Sequence, residues 1–300
     1  MVFNNWVILF YNNQCLIMKT LVPNTYTGER ACYSTHDFFI KDCIFEDGES
    51  PLKESSDLHI VDTEFRWKYP LWYCHNVLCE NVKITLTARS GIWYTKNIIF
   101  KNSIIDAPKT FRKSSDIVLE NTDLLNAEET LWNCRNIKLK NVKAKGNYFC
   151  LNGENIEIDH LELDGNYAFD GGKNIVIKNS TLMSKDSFWN CENVVLINCK
   201  VVGEYLAWNS KNITFIDCEL ESNQGLCYMS NVKLVNTKLE NTDLCFELCS
   251  DIDAEITSHV VSIKNPISGK IVVKSVGELI LDEKIIDKSK TEIVIEDEKI

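Results

Sequence analysis

Residues 173–182, 192–201 and 211–220 read KNIVIKNSTL, ENVVLINCKV and KNITFIDCEL, and the pattern they share decides the fold. Each segment starts with a charged residue and an Asn, and the residues one and three positions after that Asn are apolar. This alternation has a period of two, which is typical of a β-strand with one buried face. The regular spacing of the three segments predicts a repeat architecture.

The Asn or Asp of this pattern, called the anchor below, recurs along most of the chain. Seven of its eleven intervals are 19 residues, three are 20 and one is 21. In most repeats a second Asn or Asp lies five residues after the anchor, and another apolar residue lies eight after it. The anchors are Asp37, Asp57, Asn76, Asn97, Asp116, Asn136, Asn155, Asn174, Asn193, Asn212, Asn231 and Asp251.

A repeat of about 19 residues that already holds two strand-like runs and a third apolar segment leaves no room for a helix. We therefore predict an all-β, right-handed, single-stranded parallel β-helix of about twelve coils, with three short strands per coil and stacked Asn ladders at the turns. We expect an N-terminal extension and cap over residues 1–30, the β-helix over 31–265 and C-terminal cap strands over 266–300. Met1 and Met18 are both possible translation starts.

Composition narrows the function classes. The net charge of -11 argues against nucleic-acid binding and against anionic membrane surfaces, and no run of 18 apolar residues predicts a membrane span. The 13 cysteines include no C-x-x-C pair, which favours a reducing, cytoplasmic location. The sequence contains no recognisable metal or cofactor motif, so we expect neither a metal nor a cofactor.

Five of the seven tryptophans lie four residues before an anchor, next to an apolar residue that the alternation places inside. We therefore expect their indoles on one outward face, bordered by tyrosines from the preceding turn. Aromatic rings beside charged groups suit sugar rings and their hydroxyls, although the same face could equally be packed flat or cover a protein partner. The predicted substrate-binding residues are Trp72, Trp93, Trp132, Trp189, Trp208, Tyr148, Tyr167 and Tyr205.

The same face carries charged residues that could perform chemistry. Asp186 and Glu204 hold nearly equivalent places in neighbouring coils, where two carboxyls could act as the acid and base of a glycoside hydrolase. A structural ion pair with Lys185 is an equally good interpretation. A polysaccharide lyase would instead use a basic group against an acidic sugar. The candidate catalytic residues are Asp186, Glu204, Asp170, Arg89, Lys109, Arg112, Glu129 and Lys185.

Several segments resemble the pectate-lyase-like right-handed β-helix superfamily, and within it an uncharacterised bacterial family. They include FRWKYPLWY from Phe65, ARSGIWYT from Ala88, SKDSFWN from Ser184 and GEYLAWNSKN from Gly203, and the resemblance covers roughly residues 28–270. It implies the fold but no established activity. The Asp-rich calcium cluster of pectate lyases is not recognisable in this sequence.

Two functional hypotheses follow. The first is a carbohydrate-binding or carbohydrate-active protein that holds a saccharide, possibly an acidic one, along the tryptophan face. The second is a non-enzymatic scaffold that uses this face to contact another protein or a second copy of itself. Under either hypothesis we expect no nucleic-acid or membrane partner, and a homo-oligomer is possible.

Overall fold

A computed structural model describes residues 6–11 and 14–298, with side chains described for residues 17–297. The predicted cap over residues 1–30 therefore lies partly outside the described residues. The chain divides into two compact units, residues 1–146 (unit 1) and 147–300 (unit 2). The predicted boundaries at residues 30 and 265 stay predictions.

Unit 1 consists of β-strands and the turns that join them. Its strands are β1 (Trp6–Tyr11), β2 (Gln14–Leu21), β3 (Thr25–Tyr26), β4 (His36–Lys41), β5 (Ile44–Phe45), β6 (Ser56–Val61), β7 (Glu64–Phe65), β8 (His75–Glu80), β9 (Lys83–Ile84), β10 (Lys96–Lys101), β11 (Ile104–Ile105), β12 (Ser115–Leu124) and β13 (Arg135–Lys145).

Strands of unit 1 pair in parallel, each with its equivalent one coil away. The residue after the anchor stays in register from Phe38 to Leu58 and on to Val77, and β12 continues in the same way onto β13. The N-terminal hairpin is different, because β1 pairs antiparallel with β2, and β2 then pairs in parallel with β4.

Unit 2 is built in the same way and ends in two 3₁₀ turns. Its elements are β14 (Glu154–Asp164), β15 (Lys173–Lys178), β16 (Thr181–Met183), β17 (Glu192–Ile197), β18 (Lys200–Val202), β19 (Lys211–Ile216), β20 (Glu219–Asn223), β21 (Ser230–Asp243), β22 (Ser250–Lys264), β23 (Gly269–Ile280), β24 (Thr291–Ile295) and the 3₁₀ helices Lys288–Lys290 and Glu296–Glu298.

Equivalent strands of unit 2 are also parallel and in register, from Ile156 opposite Ile175 through Val194 opposite Ile213. Beyond the last anchor, β23 and β24 continue the parallel pairing, with Ile271 opposite Ile293. The predicted fold class, an all-β parallel β-helix, is confirmed.

Each core is formed by apolar columns that repeat from coil to coil. The residues one and three positions after the anchor are buried, as at Ile175 and Ile177. Phenylalanines stack in further columns, with ring centroids 5.0 Å apart for Phe45 and Phe65 in unit 1 and 5.0 Å apart for Phe169 and Phe188 in unit 2. Burying these rings provides much of the apolar driving force for folding.

The anchors explain why Asn and Asp recur. All twelve have a positive φ, the left-handed region that Asn and Asp tolerate better than other residues with a side chain. Their side chains form the predicted ladder, since Asn193 donates to Asn174 at 2.9 Å and Asn212 donates to Asn193 at 2.8 Å. His160 takes a position in the second Asn/Asp column with φ 60°, and its Nδ1 lies 2.9 Å from Asp159 Oδ1, so it serves as a turn residue.

The third segment of each coil differs from the regular strand that we predicted. The residues seven and three positions before every anchor have positive φ, which bends the chain at both places. Backbone bonds still join neighbouring coils, as from the Arg112 amide to the Ile92 carbonyl at 3.1 Å, but only isolated bridges such as Trp93 to Arg112 form.

Replacing Asn193 tests the ladder in unit 2. Asn193→Ala removes hydrogen bonds to two neighbours and places an alanine at φ 61°, so we expect the free energy of unfolding to fall by about 2–3 kcal/mol. Asn193→Gly loses the same hydrogen bonds without the left-handed penalty and should lose less. Urea denaturation measures both variants, and an equal loss for Ala and Gly would contradict the conformational role of the anchor.

Candidate functional site

The tryptophans of unit 1 form a closed stack. The rings of Trp72 and Trp93 are parallel to within 8° and their centroids are 5.1 Å apart. The Arg112 guanidinium continues the stack, 5.2 Å from the Trp93 centroid and 4.3 Å from that of Trp132. Rings stacked in this way cover each other's faces, so a sugar ring cannot stack between them.

The basic residues predicted in unit 1 are largely neutralised by a carboxylate. Glu129 accepts a hydrogen bond from Arg112 and lies 3.3 Å from the Lys109 ammonium. Arg89 is exposed. The buried Nε of Arg112 has no hydrogen-bond partner within the described part of the chain. The structure thus gives Arg112 and Lys109 an ion-pair role and does not assemble an open cationic site for an acidic sugar.

Unit 2 has a second tryptophan stack. Trp189 and Trp208 are parallel to within 6°, with centroids 5.6 Å apart, and the ring of Tyr228 packs edge-on against Trp208. Each indole N–H donates to a backbone carbonyl of the next coil, Trp189 to Tyr205 and Trp208 to Gln224, both at 2.6 Å. These indoles stabilise the contact between coils.

Cys227 lies in the column of Trp208, four residues before an anchor, but its side chain does not lie on the outward face. The residue is 0% exposed. Its Sγ lies 3.5 Å from the carbonyl oxygens of Gln224, Gly225 and Leu244, so the small side chain turns toward the backbone instead of lying on the surface.

A different column of unit 2 contains an interruption. The residues seven positions before the anchor, called the Tyr column, are Tyr148, Tyr167, Asp186, Tyr205, Gln224 and Leu244. The rings of Tyr148 and Tyr167 stack with centroids 4.7 Å apart, and the next coil places the short Asp186 where another ring could lie. By coil spacing Tyr167 and Tyr205 are two coils, or about 10 Å, apart. The surface between them, called the notch below, is partly covered by the Lys185 side chain, whose ammonium lies over the Tyr205 ring.

Asp186 lies at the base of the notch and is more deeply buried than most aspartates are. The residue is only 5% exposed, and no hydrogen bond or ion pair joins its carboxyl to another described residue, although the carboxyl oxygens are not among the polar atoms sealed from solvent. Its backbone N–H donates to the Glu204 carbonyl at 2.8 Å, which fixes its position. Burial raises the pKa of the Asp186 carboxyl, the Lys185 ammonium lowers it, and the negative charge of Glu204 raises it further.

The structure places two further candidates, Lys185 and Glu204, beside the same notch. The Lys185 ammonium lies 2.7 Å from Glu204 Oε2, an ion pair that raises the pKa of Lys185, and 5.4 Å from the Tyr205 ring centroid. Asp170 lies in the column of Trp189, where it accepts a hydrogen bond from Asn190 at 3.0 Å. Asp186, Glu204 and Lys185 are thereby brought together, Asp170 occupies a different column, and Arg89, Lys109, Arg112 and Glu129 belong to unit 1.

Sequence reasoning missed two concave features. In unit 1 an apolar pocket of about 230 Å³ is lined by Met18, His59, Leu78 and Ile99, among others. In unit 2 a groove of about 590 Å³ is lined by Lys200, Cys199 and Cys218, among others. The alternating pattern did not predict the pocket of unit 1. Leu78 and Ile99 line it from positions two residues after an anchor, where the alternation predicts a polar, outward residue.

The described residues offer neither a metal site nor a membrane-spanning helix. They contain no cluster of three or more His, Cys, Asp or Glu side chains arranged to hold a metal ion. Nor do they include a helix with the length and apolar character needed to cross a bilayer.

Three solved structures illustrate the similarity to known proteins. The surface adhesin PfbA of Streptococcus pneumoniae is 10% identical, with a TM-score of 0.48 and coverage of 73% of this chain and 81% of that one. The A-module of the mannuronan C-5 epimerase AlgE6 of Azotobacter vinelandii is 8% identical, with a TM-score of 0.38 and coverage of 92% and 87%. The catalytic domain of a GH87 α-1,3-glucanase in complex with nigerose is 11% identical, with a TM-score of 0.28 and coverage of 90% and 58%.

Similarity at this level says nothing about what this chain binds, and no curated protein matches the sequence. A family model, in contrast, matches residues 19–294, which is nearly the whole chain. The chain therefore belongs to the family described as protein of unknown function DUF3737.

Proposed function

We propose that unit 2 binds a neutral saccharide in the notch between Tyr167 and Tyr205. The observation that carries this proposal is the Asp186 carboxyl, which is 5% exposed and has no hydrogen-bond partner in the described part of the chain. A polar group buried without a partner costs free energy. Such a cost is typical of residues kept for binding or catalysis rather than for stability.

The shape of the notch suits one sugar ring. Tyr148 covers one face of Tyr167, and the other face of Tyr167 is directed toward the coil of Asp186. The apolar face of a pyranose packs on an aromatic ring at about 3.5–4 Å, so a single ring would fit against Tyr167, since Lys185 covers the Tyr205 ring. The saccharide would thus contact Tyr167 with its C–H face and direct its hydroxyls toward Asp186.

The charges at the notch favour a neutral sugar over an acidic one. Two carboxyl groups, those of Asp186 and Glu204, lie beside one cation, Lys185, which is already paired with Glu204. Carboxylates accept hydrogen bonds from sugar hydroxyls but repel a uronate. The basic groups that would serve a lyase are in unit 1, where Arg112 and Lys109 contact Glu129.

One observation favours glycoside hydrolysis as a second function of the same site. Asp186 has a raised pKa because it is buried, which suits a general acid that protonates the leaving oxygen. Glu204, which forms an ion pair with Lys185, would supply the base or the nucleophile. Two carboxyls in different environments are the arrangement that this reaction requires.

Saccharide binding is tested with Tyr167→Ala and Asp186→Asn. We expect the native protein to bind a neutral oligosaccharide on a glycan array, and calorimetry to show each variant weaker by about tenfold, or ~1.4 kcal/mol. Tyr94→Ala is the matched control, because Tyr94 is an exposed, stacked tyrosine of unit 1 and should leave affinity unchanged. Absence of any neutral ligand, together with a dimer that Tyr167→Ala dissociates, would support the scaffold hypothesis instead.

Hydrolysis is tested on whichever neutral oligosaccharide binds. If Asp186 and Glu204 act as acid and base, release of reducing ends should disappear in both Asp186→Asn and Glu204→Gln, while Tyr94→Ala retains it. If the wild-type protein binds the oligosaccharide but releases no reducing ends, the hydrolase hypothesis is wrong and the protein is a binding module.

The raised pKa of the Asp186 carboxyl predicts an unusual pH dependence of the free energy of unfolding. A raised pKa in the folded state means that the contribution of Asp186 to stability is complete below the unfolded pKa of about 3.9 and is lost as pH rises through the folded value. Asp186→Asn should therefore melt at a higher temperature than wild type at pH 7, and this gain should shrink toward pH 4. Thermal melts at several pH values measure it, with Asp170→Asn as the control. A gain that is absent at pH 7, or equal at both pH values, would contradict the buried, unpaired state of this carboxyl.

A further inference from the structure

Two cysteines of unit 2 hold equivalent places in adjacent coils. Strands β18 and β20 pair in parallel with Lys200 opposite Glu219, and the Glu219 amide donates to the Cys199 carbonyl at 2.9 Å. Cys199 and Cys218, which immediately precede these strands, are therefore one coil apart, at about 4.8 Å. That spacing lies within the Cα separation of about 4.4–6.8 Å that a disulfide bond spans.

The two side chains point in the same direction. Cys199 Sγ lies 3.3 Å from the Ile197 carbonyl oxygen, and Cys218 Sγ lies 3.2 Å from that of Ile216, the equivalent residue of the next coil. Of the two thiols, Cys199 has a lowered pKa because the neighbouring Cys218 thiol stabilises its thiolate, whereas the pKa of Cys218 is raised. Burial has the opposite effect at Cys191 and Cys227, where it raises the pKa of each thiol to about 12.

Small molecules can approach this pair from solvent. Both residues are 3% exposed and line the groove of about 590 Å³, together with polar side chains such as His160, Asn198 and Lys238. A thiol that is more easily ionised and lines an open groove is more reactive than one buried in apolar surroundings. Cys191 and Cys227 are equally buried but do not line this groove.

We propose that Cys199 and Cys218 are a reversible oxidation site, at which a peroxide converts the two thiols into a disulfide between adjacent coils. The Cys199 thiolate attacks one peroxide oxygen and the O–O bond breaks, which leaves a sulfenic acid on Cys199 and releases water or an alcohol. The Cys218 sulfur then attacks the Cys199 sulfur, the S–O bond breaks and water leaves. Two electrons pass from the sulfurs to the peroxide, and each thiol loses its proton.

The geometry also predicts that the bond is easily reduced. In-register residues on parallel strands keep their Cβ atoms about 4.8 Å apart, whereas a relaxed disulfide holds them at about 3.5–4.5 Å. Closing the bond must pull the two coils slightly together, and such strain makes a disulfide more oxidising. A small thiol should therefore restore the reduced pair.

The experiment treats the native protein with hydrogen peroxide, blocks the remaining thiols by alkylation and identifies linked tryptic peptides by mass spectrometry. Residues 186–200 carry both Cys191 and Cys199, and residues 212–233 carry both Cys218 and Cys227. The same two peptides thus contain the candidate pair and a matched control pair. Cys191→Ser and Cys227→Ser are the controls, and Cys199→Ser and Cys218→Ser are the test variants.

We expect the two peptides to become linked, with the intact protein losing two hydrogens, in wild type and in both control variants. The link should be lost in both test variants and reversed by dithiothreitol. Serine already occupies this column at Ser180, one coil earlier, so the serine variants should fold, and circular dichroism checks this. A link through Cys191 or Cys227, or over-oxidation of Cys199 with no link, would overturn the proposal.

Discussion

The constraint on which each unit depends is in-register parallel stacking at about 4.8 Å per coil. It places every side chain beside the residue at the same position of the next coil, so each position of the repeat becomes a column of neighbours. Amides then bond amides at the anchors, as Asn193 does with Asn174, and rings stack on rings, as Phe169 does with Phe188. The left-handed turns at the anchors keep this register, because they bend the chain at the same point in every coil.

The same constraint limits where a ligand can bind. In a column of identical planar groups, each group covers the face of the next. The parallel indoles of Trp189 and Trp208 therefore leave no ring face available between them. A binding site arises where a column changes residue type, because the substituted side chain leaves its neighbours' faces uncovered. Asp186 is such a change in the Tyr column of unit 2, and it replaces a ring with a short carboxyl.

Much of the fold could be predicted from the sequence, because the spacing of the Asn and Asp anchors reports the left-handed turns directly. The proximity of Asp186 and Lys185 to Glu204 could also be predicted, because the spacing from the anchors places these residues in adjacent coils. The stacking of the indoles could not be predicted. The alternation indicates on which side of the strand a tryptophan lies, but it does not indicate how the indole ring is oriented. Nor could composition show that Glu129 pairs with Arg112, since that contact depends on side-chain conformation.

Not every change of residue type opens a site, and Arg112 shows why. It interrupts the tryptophan column of unit 1, yet its guanidinium is planar and lies between Trp93 and Trp132 as a third ring would. Its charge is compensated by Glu129, so the interruption is filled both in volume and in charge. Asp186 does not complete its column in this way: an aspartate has no ring to cover the face of Tyr167, and no hydrogen bond joins its carboxyl to another described residue. The difference between a structural column and a binding site is therefore whether the substituted residue completes the stack.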